Sequence, residues 1–313
     1  MMISPDSTIE LATVSGEGNL LAGGTDVLVQ RRDGRDFGTL VDVTNLADAP
    51  AVVERRDGLL VLSALAPIAK IDRQLGEALP GLRMAIACFA SQQIRNRATL
   101  GGNLANASPA ADCVPPLVAA EAVLVLRSAA GARRVPVEEF AQGPRRTCLR
   151  AGEWVHAVEV PDLSDRVEGF RKIAGRRALA ISVASLAWSW RETPDGLKDV
   201  RLAAGAVAPT VIRCKQTEAL LNAEQPTARA EQPTARAEQA TARAEQATAP
   251  TARAEQPAGR PLAAAGVTRA AVTAALQADI SPIDDLRASA AYRRAALAGV
   301  LVEALGAHLL EVL

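Results

Sequence analysis

Two short stretches carry the residues best suited to chemistry. Thr99 to Asp112 reads TLGGNLANASPAAD, with the adjacent glycines Gly101 and Gly102, a Ser-Pro pair at Ser108 and a closing carboxylate at Asp112. Leu21 to Asp26 reads LAGGTD, a second glycine pair followed by the hydroxyl of Thr25 and the carboxylate of Asp26. Glycine lacks a Cβ, so another molecule can approach its main chain closely. Successive N–H groups in such turns converge into an anion-binding nest. The chemistry these stretches suit is the cradling of a phosphate-bearing ligand, with the two loops as halves of a clamp around a diphosphate. Either loop alone reads equally well as a tight turn; the pair carries the reading. With almost no large apolar side chain, Thr99 to Asp112 is expected to lie outside the core.

Other chemistries find no footing. Gly16 and Gly18 begin a dinucleotide fingerprint that breaks at Leu21, which argues against a nicotinamide site of the usual kind. There is no P-loop, G-x-S-x-G or H-E-x-x-H sequence. His156 and His308 are far apart, and Cys88, Cys113, Cys148 and Cys214 form no C-x-x-C, so no metal or cluster has ligands at usable spacing. No acid–base set is visible, as befits a chain whose chemistry belongs to a cofactor.

LAGGTD together with RNRATLGGNLANASPAAD resembles the FAD-binding subunit of the molybdenum hydroxylases, the group of xanthine dehydrogenase-like, carbon monoxide dehydrogenase-like and 4-hydroxybenzoyl-CoA reductase-like enzymes. The resemblance runs over nearly the whole chain apart from an insertion near Glu224 to Arg260. It implies an α+β architecture: an FAD-binding domain over residues 1–165, made of a small β-α-β unit (about 1–55) and a mixed or antiparallel sheet subdomain (about 56–165). A C-terminal domain of antiparallel sheet with helices follows over 166–313, interrupted by low complexity at about 223–260. It also implies FAD on this chain, and two partners: a small subunit with [2Fe–2S] clusters and a large molybdopterin subunit, assembled as a dimer of heterotrimers. Electrons would pass from the clusters through FAD to NAD or another acceptor, while substrate is hydroxylated on the large subunit. The competing readings are a free-standing FAD-dependent oxidase or reductase and a scaffold that has lost FAD. The missing acid–base set weighs against the first and the two intact loops against the second.

Carried over residue by residue, the resemblance places Leu21, Ala22, Gly23, Gly24, Thr25 and Asp26 against the cofactor. It does the same for Thr99, Leu100, Gly101, Gly102 and Asn103, and for Ser108 and Asp112. Asp112 either accepts from a ribose or ribityl hydroxyl or caps the following turn. Phe89 lies at helical core spacing, but its matching position is beside the FAD. Trp154 and Val155 match apolar positions by the cofactor, although a strand core would look the same. Lys172 matches a lysine near the flavin ring; the other reading is a solvated surface lysine. Ala180 departs from the pattern, where many relatives carry aspartate. No residue of the chain is expected to be catalytic.

Composition sets the frame. The chain has 313 residues with 49% hydrophobic content and only 3% aromatic, so its core must be Ala, Val and Leu. Lys plus Arg equals Asp plus Glu, 35 each, so no net field draws in nucleic acid or an anionic membrane. The N-terminus lacks a secretory pattern and no apolar run is long enough to span a membrane. A reduced, cytoplasmic protein with buried thiols is expected.

The elements that must position the loops follow. Asn19 to Ala22 and Thr39 to Val43 read as strands flanking a helix that starts near Asp26. Val52–Arg55 and Leu59–Ser63 form a hairpin about Asp57-Gly58. Ala66 to Ala78 and Leu82 to Gln93 read as helices separated by a break at Pro80-Gly81. Val123 to Leu126, Arg134 to Val137 and a strand through Val155, Val158 and Val160 follow. After a basic turn, Ala180 to Trp190 and Val200 to Val207 are strands. AEQPTAR-type units starting at Ala223, Ala230, Ala237, Ala244 and Ala254 have nothing to bury and read as a duplicated exposed loop. Ser281-Pro282 is expected to start the last helix, whose apolar stripe runs Leu297, Val300, Leu301, Ala304, Leu305.

Overall fold

The structure, a computed structural model, describes residues 1–16, 18–176, 179–194, 196–223 and 267–306. The low-complexity units beyond Ala223 and His308 lie outside the described residues.

The chain begins with a small unit of three parallel strands. β1 (Met2–Ile3) and β2 (Asn19–Leu21) flank β3 (Leu40–Asp42), with α1 (Thr8–Val14) and α2 (Val27–Arg32) as crossovers. Ser7 caps α1 by accepting the Glu10 N–H, satisfying one of the donors a helix start leaves open. The expected β-α-β unit is present; β1 and α1, too short or too polar to stand out, were not foreseen. The unit's core is Leu11, Val41, Val43 and Leu46, and it is completed by Trp154 from the next subdomain.

The second subdomain is an antiparallel sheet in the order β4-β5-β10-β6-β7. β4 (Val53–Arg56) and β5 (Leu59–Ser63) form the expected hairpin, with Asp57 and Gly58 both at positive φ, the conformation a two-residue hairpin turn demands. β6 (Val123–Ser128) and β7 (Gly131–Pro136) form a second hairpin, and β10 (Trp154–Pro161) runs between the two pairs. Between β5 and β6 come α3 (Ile68–Leu75), α4 (Pro80–Cys88), α5 (Gln92–Arg95), α6 (Leu100–Ala105) and α7 (Val114–Ala119). After β7 come α8 (Val137–Phe140) and the short pair β8 (Ala141–Gly143) and β9 (Arg146–Thr147). Two expectations are corrected here. Pro80 does not break the chain but sits at the first turn of α4, where its missing N–H costs nothing. The single helix expected over Leu82–Gln93 is two, because Phe89 is extended and Ala90 takes φ +40°.

The third part is an antiparallel sheet of β11 (Val167–Ala174), β12 (Ser182–Thr193), β13 (Gly196–Gly205) and β14 (Ile212–Arg213), with α9 (Lys215–Asn222), α10 (Arg269–Asp279) and α11 (Ala290–Leu305). The segment expected to be a basic turn is β11: Arg171 and Lys172 stand side by side between Phe170 and Ile173, and it is pairing with β12 that makes it a strand. β12 has both faces covered, so it reads as a near-continuous apolar run. Leu186 and Trp190 join the core beneath α9, α10 and α11. Ala187 instead joins the core shared with the second subdomain, where α4 lies along β11 and α7 along β12 and β13. The last helix does not start at Ser281. Its cap is Ser289, which accepts the Tyr292 N–H, because Asp285 turns the preceding segment by accepting from Arg287 and Ala288 N–H. Buried Arg293 then donates to the carbonyls of Val183 and Ala206 and pairs with Asp285 at 2.6 Å.

No described helix is long and apolar enough to cross a membrane. All four cysteines are free; Cys113 and Cys214 are buried as expected, whereas Cys88 is exposed and Cys148 half-buried.

Candidate functional site

The first glycine loop leaves β2 and turns into α2. At Gly23 the chain presses on the segment entering the second loop: a Cβ there would stand 2.0 Å from the Arg97 carbonyl oxygen. Gly24 takes φ +70°, open to glycine and closed to most side chains. Asp26 stands at the helix start without capping it; its carboxylate accepts from Gln30 and pairs with Arg145 at 3.5 Å. The main-chain N–H groups of Gly23, Gly24, Thr25 and Asp26 engage no acceptor among the described residues. They are the donors left for an anion.

The second loop is different. Thr99 caps α6 through its hydroxyl, which accepts the Gly102 N–H at 3.0 Å. The Gly101 N–H donates to the Ala64 carbonyl at 2.7 Å and the Asn103 N–H to the Thr99 carbonyl at 3.0 Å. These amides are occupied within the protein, so the expectation of a second anion nest is corrected. Gly101 is small because it packs on Ala64, just past the end of β5: a Cβ would meet the Ala64 oxygen at 2.8 Å. Nor does the stretch lie outside the core, for Thr99, Leu100, Leu104, Ala107, Ala111 and Asp112 are all buried. It is the small residues that let a short helix pack this tightly against Ala64 and β10.

Between the loops lies a cleft of about 640 Å³, within the rough 300–1,000 Å³ span of ligand sites. Of the residues singled out from sequence, Ala22, Gly23, Gly24, Thr25 and Asp26 line it from the small unit. Phe89, Thr99, Gly101, Gly102 and Asn103 line it from the helices, and Trp154 and Val155 from β10. Leu21 sits half-buried in β2, and Leu100 belongs to the core beneath the cleft. Ser108 lies off the cleft, its hydroxyl accepting the Ala110 N–H. Asp112 and Lys172 are also off its wall. They form a buried pair: Lys172 Nζ lies 2.6 Å from Asp112 Oδ2, each side chain 7% exposed. Ser182 Oγ donates to the other oxygen at 2.6 Å, and Lys172 Nζ also donates to the Cys88 carbonyl at 3.2 Å. Burial pushes the Asp112 carboxyl up, with Lys172 and Ser182 pulling against it. Lys172 is therefore not a solvated surface lysine, and Asp112 does not cap a turn.

Contacts order the cleft. Phe37, whose carbonyl accepts from Asn19 Nδ2 at 2.8 Å, flanks the start of β2. The end of β2 leads to Gly23 against Arg97. Arg97 and Ala98 N–H donate to the Ile94 carbonyl, and Arg95 donates to the Phe89 carbonyl. Phe37 and Phe89 both belong to the wall, with the glycine contact and the Ile94–Ala98 segment between them in the chain of contacts. Arg35, Arg145 and Arg150 also line the cleft. Sequence reading missed them, since they come from loops remote from either glycine motif.

The lining fits FAD. Amides without a protein acceptor stand at Gly23 to Asp26 on the cleft wall, and the buried Oδ1 of Asn103 and Nε1 of Trp154, both in lining residues, lack partners among the described residues, an acceptor and a donor of the kind a bound ligand can satisfy. No group of three or more His, Cys, Asp or Glu side chains suited to a metal occurs among the described residues.

Comparison with known proteins finds two family matches. Residues 2–163 match the FAD binding domain in molybdopterin dehydrogenase, and residues 170–256 match the CO dehydrogenase flavoprotein C-terminal domain. The chain is 34% identical to the xanthine dehydrogenase FAD-binding subunit of Escherichia coli O157:H7 over 67% of this chain and 74% of that one. It is 30% identical to the nicotinate dehydrogenase FAD-subunit of Eubacterium barkeri over 52% of this chain and 57% of that one. In fold it resembles a chain of a carbon monoxide dehydrogenase from Hydrogenophaga pseudoflava, with a TM-score of 0.80 at 23% identity, covering 98% of this chain and 96% of that one.

Proposed function

The chain belongs to the family defined by the FAD-binding domain of molybdopterin dehydrogenases, and from that premise we propose that it is the FAD-carrying subunit of a multi-subunit molybdenum hydroxylase. The observation that carries this is the cleft itself, whose unpartnered amides at Gly23 to Asp26 face a slot closed on its other side by Thr99 to Asn103. Gly23, Gly24, Thr25 and Asp26 would hold the diphosphate. Phe89, Trp154 and Val155 would flank the planar parts, and Asn103 would meet a polar edge. Bound FAD supplies the capacity to take electrons singly or in pairs. The chain's own task is to bind the dinucleotide extended, keep water from it and set its orientation. Partner subunits carrying [2Fe–2S] clusters and molybdopterin would deliver electrons, and NAD or another acceptor would remove them. A dimer of heterotrimers in the cytoplasm is the assembly proposed.

The test is direct. Purified chain is titrated with FAD while flavin fluorescence and visible absorption are recorded. Saturable binding with a shifted flavin band supports the proposal; absence of binding overturns it. Co-purification of a tagged chain with iron–sulfur and molybdopterin subunits tests the assembly separately.

A further inference from the structure

We propose that Arg145 is a cofactor-binding residue of this chain, its guanidinium supplying the cation for the diphosphate at Gly23 to Asp26. This rests on the FAD reading and adds to it a contact that neither glycine stretch contains.

The amides of Gly23 to Asp26 leave a problem of charge. A diphosphate is doubly negative, and the same loop carries the carboxylate of Asp26. Like charges at close range in a cleft repel more than they do in open water, so a site made of these amides alone would set its ligand beside an anion. Three arginines line the cleft: Arg35, Arg145 and Arg150. Arg35 is taken up within the small unit, where it donates to Gln30 Oε1 and lies 5.0 Å over the Phe37 ring. Arg145 is the one paired with the loop carboxylate, its Nη1 standing 3.5 Å from Asp26 Oδ2.

Arg145 is held there by both glycine stretches. It lies in the turn between β8 and β9 at φ +57°, a left-handed conformation unfavourable for a residue with a Cβ. Its own N–H donates to the Ala107 carbonyl at 3.0 Å, so the Thr99 to Asp112 stretch fixes its main chain while Asp26 draws its side chain. The ion pair does not offset the strain: the two side chains are 55% and 46% exposed, and pairs this exposed contribute little to stability. A single contact to Asp26 leaves most of the five guanidinium N–H groups uncommitted, and such a fork matches phosphate oxygens. Asp26 thus serves as the partner that keeps the arginine at the loop.

The experiment is an FAD titration of the full chain at about 20 mM and about 500 mM salt, wild type and variants, with the melting temperature of the free protein measured alongside. Arg145→Gln is expected to weaken FAD binding about tenfold at low salt and only about threefold at high salt, because an exposed charge contact is screened. Arg145→Gly should lose affinity likewise while its melting temperature holds or rises, since glycine takes this φ freely. In an Asp26→Asn background, Arg145→Gln should still weaken binding about fivefold at low salt. Affinity equal to that of wild type in either Arg145 variant overturns the proposal. So does a loss that salt leaves undiminished, or one accompanied by a lower melting temperature in Arg145→Gly, because Arg145 would then act on the fold. A loss that vanishes in the Asp26→Asn background overturns it too, because Arg145 would then act only through Asp26. If wild type binds no FAD, the underlying functional reading fails instead.

Discussion

The main chain of Gly23 lies so close to that of Arg97 that an added Cβ would stand 2.0 Å from the Arg97 carbonyl oxygen. The small β-α-β unit and the second subdomain touch backbone to backbone here, and residues of both line the cleft.

Gly23→Ala should therefore force the two loops apart. Both partners are main chain, so nothing flexible can yield, and the cost is about 3 kcal/mol. FAD affinity should fall with stability. Gly102→Ala should behave otherwise: its Cβ would meet only the Thr99 hydroxyl at 3.0 Å, and alanine suits a helix better than glycine by about 1 kcal/mol. Melting temperature should hold while FAD affinity drops, since Gly102 faces the cleft. Thermal melts and flavin titrations on the two variants separate the roles.

Arg293→Met should be severely destabilising. It strips a buried partner from the carbonyls of Val183 and Ala206 and from Asp285. Breaking such a buried network costs about 3–5 kcal/mol, which a urea titration will show as a lower midpoint at unchanged slope.

His156 gives an acid-side dependence. Burial, and secondarily the Arg127 guanidinium, pull its imidazole down to about 4, so the folded state keeps it neutral while the unfolded chain protonates near pH 6.5. Stability from this group is full above about pH 6.5 and is lost as pH falls toward 4. Partial exposure trims the effect to about 1–2 kcal/mol. A His156→Gln variant should lose less stability than wild type between pH 6.5 and 4 in denaturant titrations.

Glu168 gives the opposite slope. Burial against α4 raises its carboxyl to about 7 despite the pull of Arg166. The folded state holds a proton that the unfolded chain has released, so this contribution is present below about pH 4.5 and lost as pH rises through 7. Glu168→Gln should be more stable than wild type at pH 8 and no more stable at pH 4.5, measured by thermal melts at both.

The glycine pairs were legible because each has a physical cause at short range: a positive φ at Gly24 and close main-chain contacts at Gly23 and Gly101. What sequence could not show was the difference between them. Both read as anion nests, yet Thr99 and Ala64 take up the amides of the second, and Ala64 is far off in the chain. β12 was visible as an apolar run, while β11 was not, because its identity as a strand depends on pairing rather than on its own alternation. Ser281 and Ser289 carry equally good capping chemistry; Asp285 and Arg293 decide between them. Lys172 was visible as a residue, but its carboxylate partner lies across a domain boundary.

Trp154 belongs at once to the core of the small parallel unit and to the wall of the cleft. The indole acts as a peg seated in one block and carried by the other. Parting the two blocks would draw that peg from its socket and wet Leu11, Val41 and Val43. The small unit's interior is thus finished by a side chain from outside it, and residues 1–55 cut from the rest would be left with an unfilled hole where the indole sits.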